Sequence, residues 1–414
     1  MPSTIQISPD GKLDLPEDIK KQLGFSVKGL VRIDVNANEV TISRSINHLN
    51  QVYIEPTNAC NLTCSTCMRN VWDEPLGFLS KETFERILEG LRAFSPIPKV
   101  FFGGFGEPLF HPQIQEMVAA AKQLGAEVEL ITNGILLDDK VSDWMLNLGL
   151  DRVWVSIDGA SPESYADVRL GDALPIVLEN ILGLMGKRIR RELVTPALGI
   201  AFVAMKRNIA DLPGVIALGK KLGADHFSIS NVLPHTPELR DEVLYRNSLF
   251  YADTPATTYN STIDLPRMDF SPEISSILVE TLKGSGKIAI SGKQLAMGDD
   301  SCPFLRKGSM SIRWDGEASP CLPLMHTHTS YIEEIVRTTH AWSVGNINDL
   351  TLAELWNQPS HHDLRKRLSA FDFPPCTICT TSCHMIKDNL TDCWDSPTPT
   401  CGGCLWAKGL IQCP

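Results

Sequence analysis

Between residues 51 and 234 the sequence alternates strand-like with helix-like stretches, and this alternation constrains the fold more than any other feature. The strand-like stretches are "QVYIEPT", "KVFFGG", "EVELITNG", "RVWVSIDG", "LGIAFVAM" and "HFSISNVLP". Between them lie helical patterns such as "KETFERILEGLRAF", "PQIQEMVAAAKQLG" and "LDDKVSDWMLNLG", the last two ending in the glycine that commonly stops a helix. Successive strands joined by helices run parallel, because the connection must return the chain to the same end of the sheet. The fold class is therefore α/β, with a parallel sheet that is either doubly wound or curled into a barrel. In both arrangements chemistry gathers at the C-terminal ends of the strands.

Directly after the first of these strands comes "NACNLTCSTCMR", which places Cys60, Cys64 and Cys67 on one short loop. The chain has twelve cysteines: these three, none between residues 68 and 301, and nine from Cys302 to Cys413. The N-terminus "MPSTIQISPDGKLDLPE" lacks a charged-then-apolar signal pattern, and no stretch reaches the roughly 18 apolar residues of a spanning helix, so a cytoplasmic location is expected. In a reducing compartment, clustered cysteines point to metal rather than to disulfides. The net charge of −11 argues against a broad surface for nucleic acid or anionic lipid.

A closed zinc or ferredoxin-type site takes four protein ligands, so three thiols on a loop leave two readings. One is a zinc site completed by a distant ligand such as His48 or His111. The other is a cubic iron–sulfur cluster with one iron left open. Four further strand-end features accompany the triplet: Gly104, Gly106 and Glu107 in "GGFGEPL", Thr132 and Asn133 in "ITNG", Ser156 and Asp158 in "VSIDG", and Arg169 in "YADVRLG".

With the triplet, these features resemble the radical S-adenosylmethionine (SAM) superfamily over roughly residues 50–235. The resemblance implies a partial (β/α)6 TIM-type barrel holding one [4Fe–4S] cluster on Cys60, Cys64 and Cys67, with SAM chelating the open iron. An electron from the cluster then cleaves SAM to methionine and a 5′-deoxyadenosyl radical. The glycine loop at 104–107 is expected to meet the methionine amino group, Ser156 and Asp158 the ribose hydroxyls, and Arg169 the carboxylate, with Thr132 and Asn133 facing the same mouth. One departure is Thr66, where the family commonly has an aromatic residue beside the adenine.

The flanks read as separate units. Residues 1–46 resemble the AbrB-type swapped-hairpin module: a helix at "LPEDIKKQLG", then strands "GLVRIDV" and "EVTIS" around an Asn-Ala-Asn turn. Six Lys/Arg are balanced there by six Asp/Glu, which favours dimerisation or docking over DNA binding. Residues 236–300 read as a connector with one helix near "SPEISSILVETLKG". Residues 301–414 contain a hairpin at "SMSIRWDGEASPC", short helices at "TLAELWNQ" and "HHDLRKRL", and few large apolar runs, so metal is expected to hold the region together.

This tail resembles the SPASM extension, which implies two auxiliary [4Fe–4S] clusters. Cys302 and Cys321 are expected in the first and Cys376, Cys379 and Cys383 in the second, while Cys393, Cys401, Cys404 and Cys413 are ligands without an assigned cluster. Nine cysteines are one more than two four-ligand clusters need. The end "CGGCLWAKGLIQCP" is similar to SPASM proteins that mature tungsten-cofactor oxidoreductases. Asp315 and Asp395 lie near these cysteines but read as exposed turn residues.

The expected function is thus a radical SAM/SPASM maturase that removes hydrogen from a peptide, protein or cofactor precursor. It would draw electrons from a ferredoxin or flavodoxin and pair through its N-terminal module. The alternatives are a metal-dependent DNA-binding regulator with zinc-bound cysteines, which predicts colourless protein, and a plain electron carrier, which predicts clusters without SAM cleavage.

Overall fold

The computed structural model describes residues 31–36, 39–44, 47–169, 172–246, 263–265, 288–290, 293–294, 301–378 and 383–414. The expected N-terminal helix and the helix near residues 271–284 lie outside the described residues. The N-terminal hairpin is present, with β1 (Val31–Asn36) antiparallel to β2 (Glu39–Arg44).

All six expected central strands form: β3 (Gln51–Ile54), β4 (Lys99–Phe102), β5 (Val128–Thr132), β6 (Arg152–Ser156), β7 (Ala197–Ala204) and β8 (His226–Asn231). Each pairs in parallel with the next. The strand order never reverses, as it would in a doubly wound sheet. Helices α1 (Lys81–Leu91), α2 (Ile114–Gln123), α3 (Asp139–Leu148), α4 (Pro162–Arg169), α5 (Leu174–Arg190) and α6 (Leu212–Lys221) fill the crossovers. Ser80 and Asp138 cap α1 and α3 by accepting the Thr83 and Val141 N–H groups, and Gly149 ends α3 in the left-handed conformation.

Side chains alternate along each strand and build two cores. Val52, Ile54, Val100, Phe102, Val153 and Val155 face the helices, whereas Tyr53, Phe101 and Trp154 point to the concave face. β9 (Ile263–Leu265), β10 (Ile288–Ile290) and β11 (Lys293–Gln294) form a separate small sheet. The barrel stays open, because the free edge of β3 pairs not with β8 but with β12 (Ser309–Ile312), in parallel. β12 and β13 (Glu317–Ser319) are the hairpin expected from "SMSIRWDGEASPC". The C-terminal region therefore extends the central sheet, and Phe304, Leu405, Trp406 and Ile411 cover the concave-face aromatics. It has apolar support that its sparse sequence pattern did not suggest, because half of that core comes from segments before residue 246.

The two short C-terminal helices are also present, at Leu352–Trp356 and Pro359–Ala370. The first opens with a Thr351/Glu354 capping box. Among the described residues no helix is long and apolar enough to cross a membrane.

Candidate functional site

The loop leaving β3 is fixed before it reaches the cysteines. The Thr57 hydroxyl donates to Gly77 O at 2.5 Å and accepts the Ala59 N–H, and Asn58 bonds both Pro75 O and the Gly77 N–H. The three sulfurs then fan out, each touching a different element. Cys60 Sγ lies 3.9 Å from Asn133 Nδ2 after β5, Cys64 Sγ 3.7 Å from Arg169 Nη1 at the end of α4, and Cys67 Sγ 3.9 Å from Phe105 O after β4. All three line one cavity of about 220 Å³ at the C-terminal strand ends. Neither His48 nor His111 lines it, and His111 has both ring nitrogens engaged, with Leu79 O and the Gln113 N–H. Burial pushes the Cys60 and Cys67 thiols above their ordinary range, so metal entry must displace protons.

The glycine loop forms the facing wall. Gly104 adopts φ +132°, a backbone that side chains disfavour. A Cβ on Gly106 would lie 2.0 Å from Thr57 O, inside the loop that carries the cysteines. Gly106→Ala should therefore displace that loop and weaken SAM binding by about tenfold or more, read by calorimetry on reconstituted protein, while unchanged affinity would show that the loop is not the cradle. Glu107 reaches the cavity, but its oxygens already accept the Leu109 and Asn133 N–H groups, tying the loop to the end of β5. Burial raises its pKa despite these bonds.

Gly104, Gly106, Glu107, Thr132, Asn133, Ser156 and Arg169 all line the cavity. Asp158 does not. It is fully buried behind the wall, where one oxygen accepts the Val203 N–H at 2.7 Å and the other pairs with Arg169 Nη2 at 2.6 Å. Its two oxygens are thus engaged by Val203 and Arg169. Phe105, for which the sequence carried no expectation, lines the cavity together with Thr66. It sits between the two glycines of the loop, which drew attention to the backbone instead.

In the C-terminal region, Cys302, Cys321, Cys401 and Cys404 line a single narrow cavity. Two of the cysteines without an assigned cluster thus stand beside the expected first pair. Burial pushes the Cys302 thiol up to about 12 and raises Cys321 and Cys401 well above their ordinary range. Cys376 is buried, Cys383 half-buried and Cys393 exposed; Cys413 Sγ accepts the Trp406 Nε1–H at 3.3 Å, and Cys379 lies outside the described residues. Asp395 is exposed, as expected, whereas Asp315 is half-buried, its carboxylate stapled to Arg313.

No three His, Cys, Asp or Glu among the described residues are drawn together tightly enough to hold an ion as they stand. The chemistry around the thiols nevertheless fits an anionic cluster. Arg337 is buried, donates to Ile386 O at 2.7 Å, and has no carboxylate within 4 Å among the described residues. Its electrostatic neighbours are Cys376, Cys404 and Cys401 and, after them, the carboxylate of Asp388. A buried guanidinium with no carboxylate close by is costly; facing a negative cluster it is compensated.

The sheet, the cysteine loop and the glycine wall define a radical SAM fold and site. The radical SAM superfamily matches residues 54–201 and the SPASM iron–sulfur cluster-binding domain residues 302–384. The chain belongs to the radical SAM superfamily as an enzyme with a C-terminal SPASM domain, and its cofactors are SAM, a [4Fe–4S] cluster and auxiliary iron–sulfur clusters.

Among its relatives is the tungsten-containing aldehyde ferredoxin oxidoreductase cofactor-modifying protein of Pyrococcus furiosus. The two are 30% identical over 374 residues, 88% of this chain and 96% of that one. A probable GTP 3',8-cyclase of Methanococcus maripaludis is 32% identical over 186 residues, 44% of this chain and 59% of that one. The fold is similar to Streptococcus suis SuiB bound to S-adenosylmethionine, with TM-score 0.50 and 14% identity over 82% of this chain and 72% of that one. The DNA-binding zinc regulator is thereby set aside.

Proposed function

We propose that this enzyme matures a tungsten-dependent oxidoreductase by modifying its cofactor or a precursor of that cofactor. The observation that carries the reading is the match to the Pyrococcus furiosus protein, which runs through both the barrel and the C-terminal region rather than through the SAM site alone.

In this reading Cys60, Cys64 and Cys67 hold the SAM cluster, which when bound supplies the electron that cleaves SAM. The Gly104–Glu107 backbone, Thr132, Asn133 and Ser156 bind SAM, and Arg169, aimed by Asp158, places its charge beside the SAM carboxylate. Met68, Phe105 and Ile131 present apolar surface to the same cavity and exclude water from it. Cys302, Cys321, Cys401 and Cys404 hold one auxiliary cluster, and Cys376 with Cys379 and Cys383 the core of the other. The units are residues 1–46, 50–235, 236–300 and 301–414. A ferredoxin or flavodoxin donates electrons, and the N-terminal hairpin module pairs two protomers.

The test is reconstitution of a tungsten aldehyde oxidoreductase from its immature form, with and without this enzyme and SAM. We expect a change in cofactor mass and a gain of oxidoreductase activity only with both. Full activity without the enzyme would overturn the proposal.

A further inference from the structure

We propose that His326 is a positioning residue: from the C-terminal region it locks Glu55, and through Glu55 the Gly104–Glu107 loop, in the conformation that receives SAM. This rests on the reading above that the loop faces SAM.

His326 is fully buried, five residues after Cys321, and reaches back across the sheet to the end of β3. Its Nε2 lies 3.0 Å from Glu55 Oε2 and its Nδ1 2.7 Å from Glu74 Oε2. Carboxylates only accept, so both ring nitrogens donate and the ring is held as an imidazolium. Trp72 stacks on it at 4.1 Å, and Phe105 meets it edge-on at 5.5 Å. The second oxygen of Glu55, Oε1, accepts the Phe105 N–H at 3.1 Å. The Glu55 side chain also lies against Gly104, 2.8 Å from where a Cβ would stand.

The path therefore runs from the segment after an auxiliary-site cysteine, through His326 and Glu55, to the backbone of the SAM loop. Burying an imidazolium between carboxylates is an expensive way to gain stability, and its value lies in fixing one geometry. Without the imidazolium, Glu55 loses the partner that orients it, and the Phe105 N–H is left to find another acceptor.

Other charged and titratable groups around the ring are His328, whose Nδ1 bonds His326 O at 3.0 Å, and Arg313, which faces Glu74 and bonds Met325 O at 3.2 Å. Burial pulls the His326 pKa down, but the bonds and charges of Glu55 and Glu74 outweigh it, and the net shift is upward. The lock is thus held below the raised value and released as pH rises through it.

The test compares wild type, His326→Gln and Glu74→Gln, the last at a partly exposed position that folding tolerates. Amide exchange by mass spectrometry on peptides spanning residues 103–107 of the intact chain reads the Phe105 N–H directly. Calorimetry on reconstituted enzyme reads SAM affinity against pH. In His326→Gln we expect Phe105 exchange to quicken and SAM dissociation to rise, each about tenfold, with kcat for SAM cleavage changed less than about threefold.

Glu74→Gln should give a smaller effect of the same sign. Wild-type affinity should weaken at high pH and that of His326→Gln should not. Unchanged Phe105 exchange and affinity, even with a lower melting temperature, would overturn the lock. A wild-type chain that binds no SAM would instead sink the reading of the loop, while the exchange measurement still decides the lock.

Discussion

Cys64→Ala should reduce SAM cleavage to below about 0.1% of wild type while leaving the melting temperature of the metal-free chain nearly unchanged. The first effect follows from ligand number. With three cysteines per cluster and one iron left open, removing a sulfur leaves two protein ligands for four irons. The second follows from geometry: Cys64 lies on a loop already fixed by Thr57 and Asn58, and its sulfur makes one long contact, with Arg169. Anaerobic turnover with dithionite, beside melting curves of the metal-free proteins, checks both. Substantial residual cleavage would show that Cys64 is not a cluster ligand.

Arg337→Met should act with opposite signs in metal-free and loaded protein. In the metal-free chain the guanidinium is a buried charge held by one hydrogen bond with no carboxylate within 4 Å among the described residues, so an apolar side chain of similar length should raise stability by about 1–3 kcal/mol. In the loaded protein the same change removes the cation beside an anionic cluster. Iron loss to a chelator should then quicken, and the potential of an auxiliary cluster should fall. Arg337→Lys should keep most of the loaded behaviour. Destabilisation of both forms, with no change in potential, would mean that Arg337, on β15 (Ile335–Thr339), merely packs against β14 (His328–Ile332) and the turn at Ile386.

What the sequence made legible was local or periodic. Strand and helix alternate with different periods, so Val52 and Ile54 on one face and Tyr53 on the other could be read from the chain alone, as could the glycine that stops α3. The β1–β2 hairpin closes over two residues and showed for the same reason. The cysteine triplet and the glycine loop showed because their spacing carries their chemistry.

The remainder depends on contacts between distant segments. β12 joins β3 across more than 250 residues, Asp158 is the buried partner of Arg169, and Cys401 and Cys404 share a cavity with Cys302 and Cys321. His326 and Glu55 are 271 positions apart, and neither side chain alone suggests the other. A histidine five residues past a cysteine reads as a turn residue until the sheet brings it beneath the glycine loop.

The account stands most directly on one anaerobic experiment: load the chain with iron and sulfide, add dithionite and SAM, and measure bound iron and released 5′-deoxyadenosine. It predicts about twelve irons per chain, from three clusters, and 5′-deoxyadenosine formed only with reductant present. Colourless protein with stoichiometric zinc, or fully clustered protein that leaves SAM intact, would contradict it.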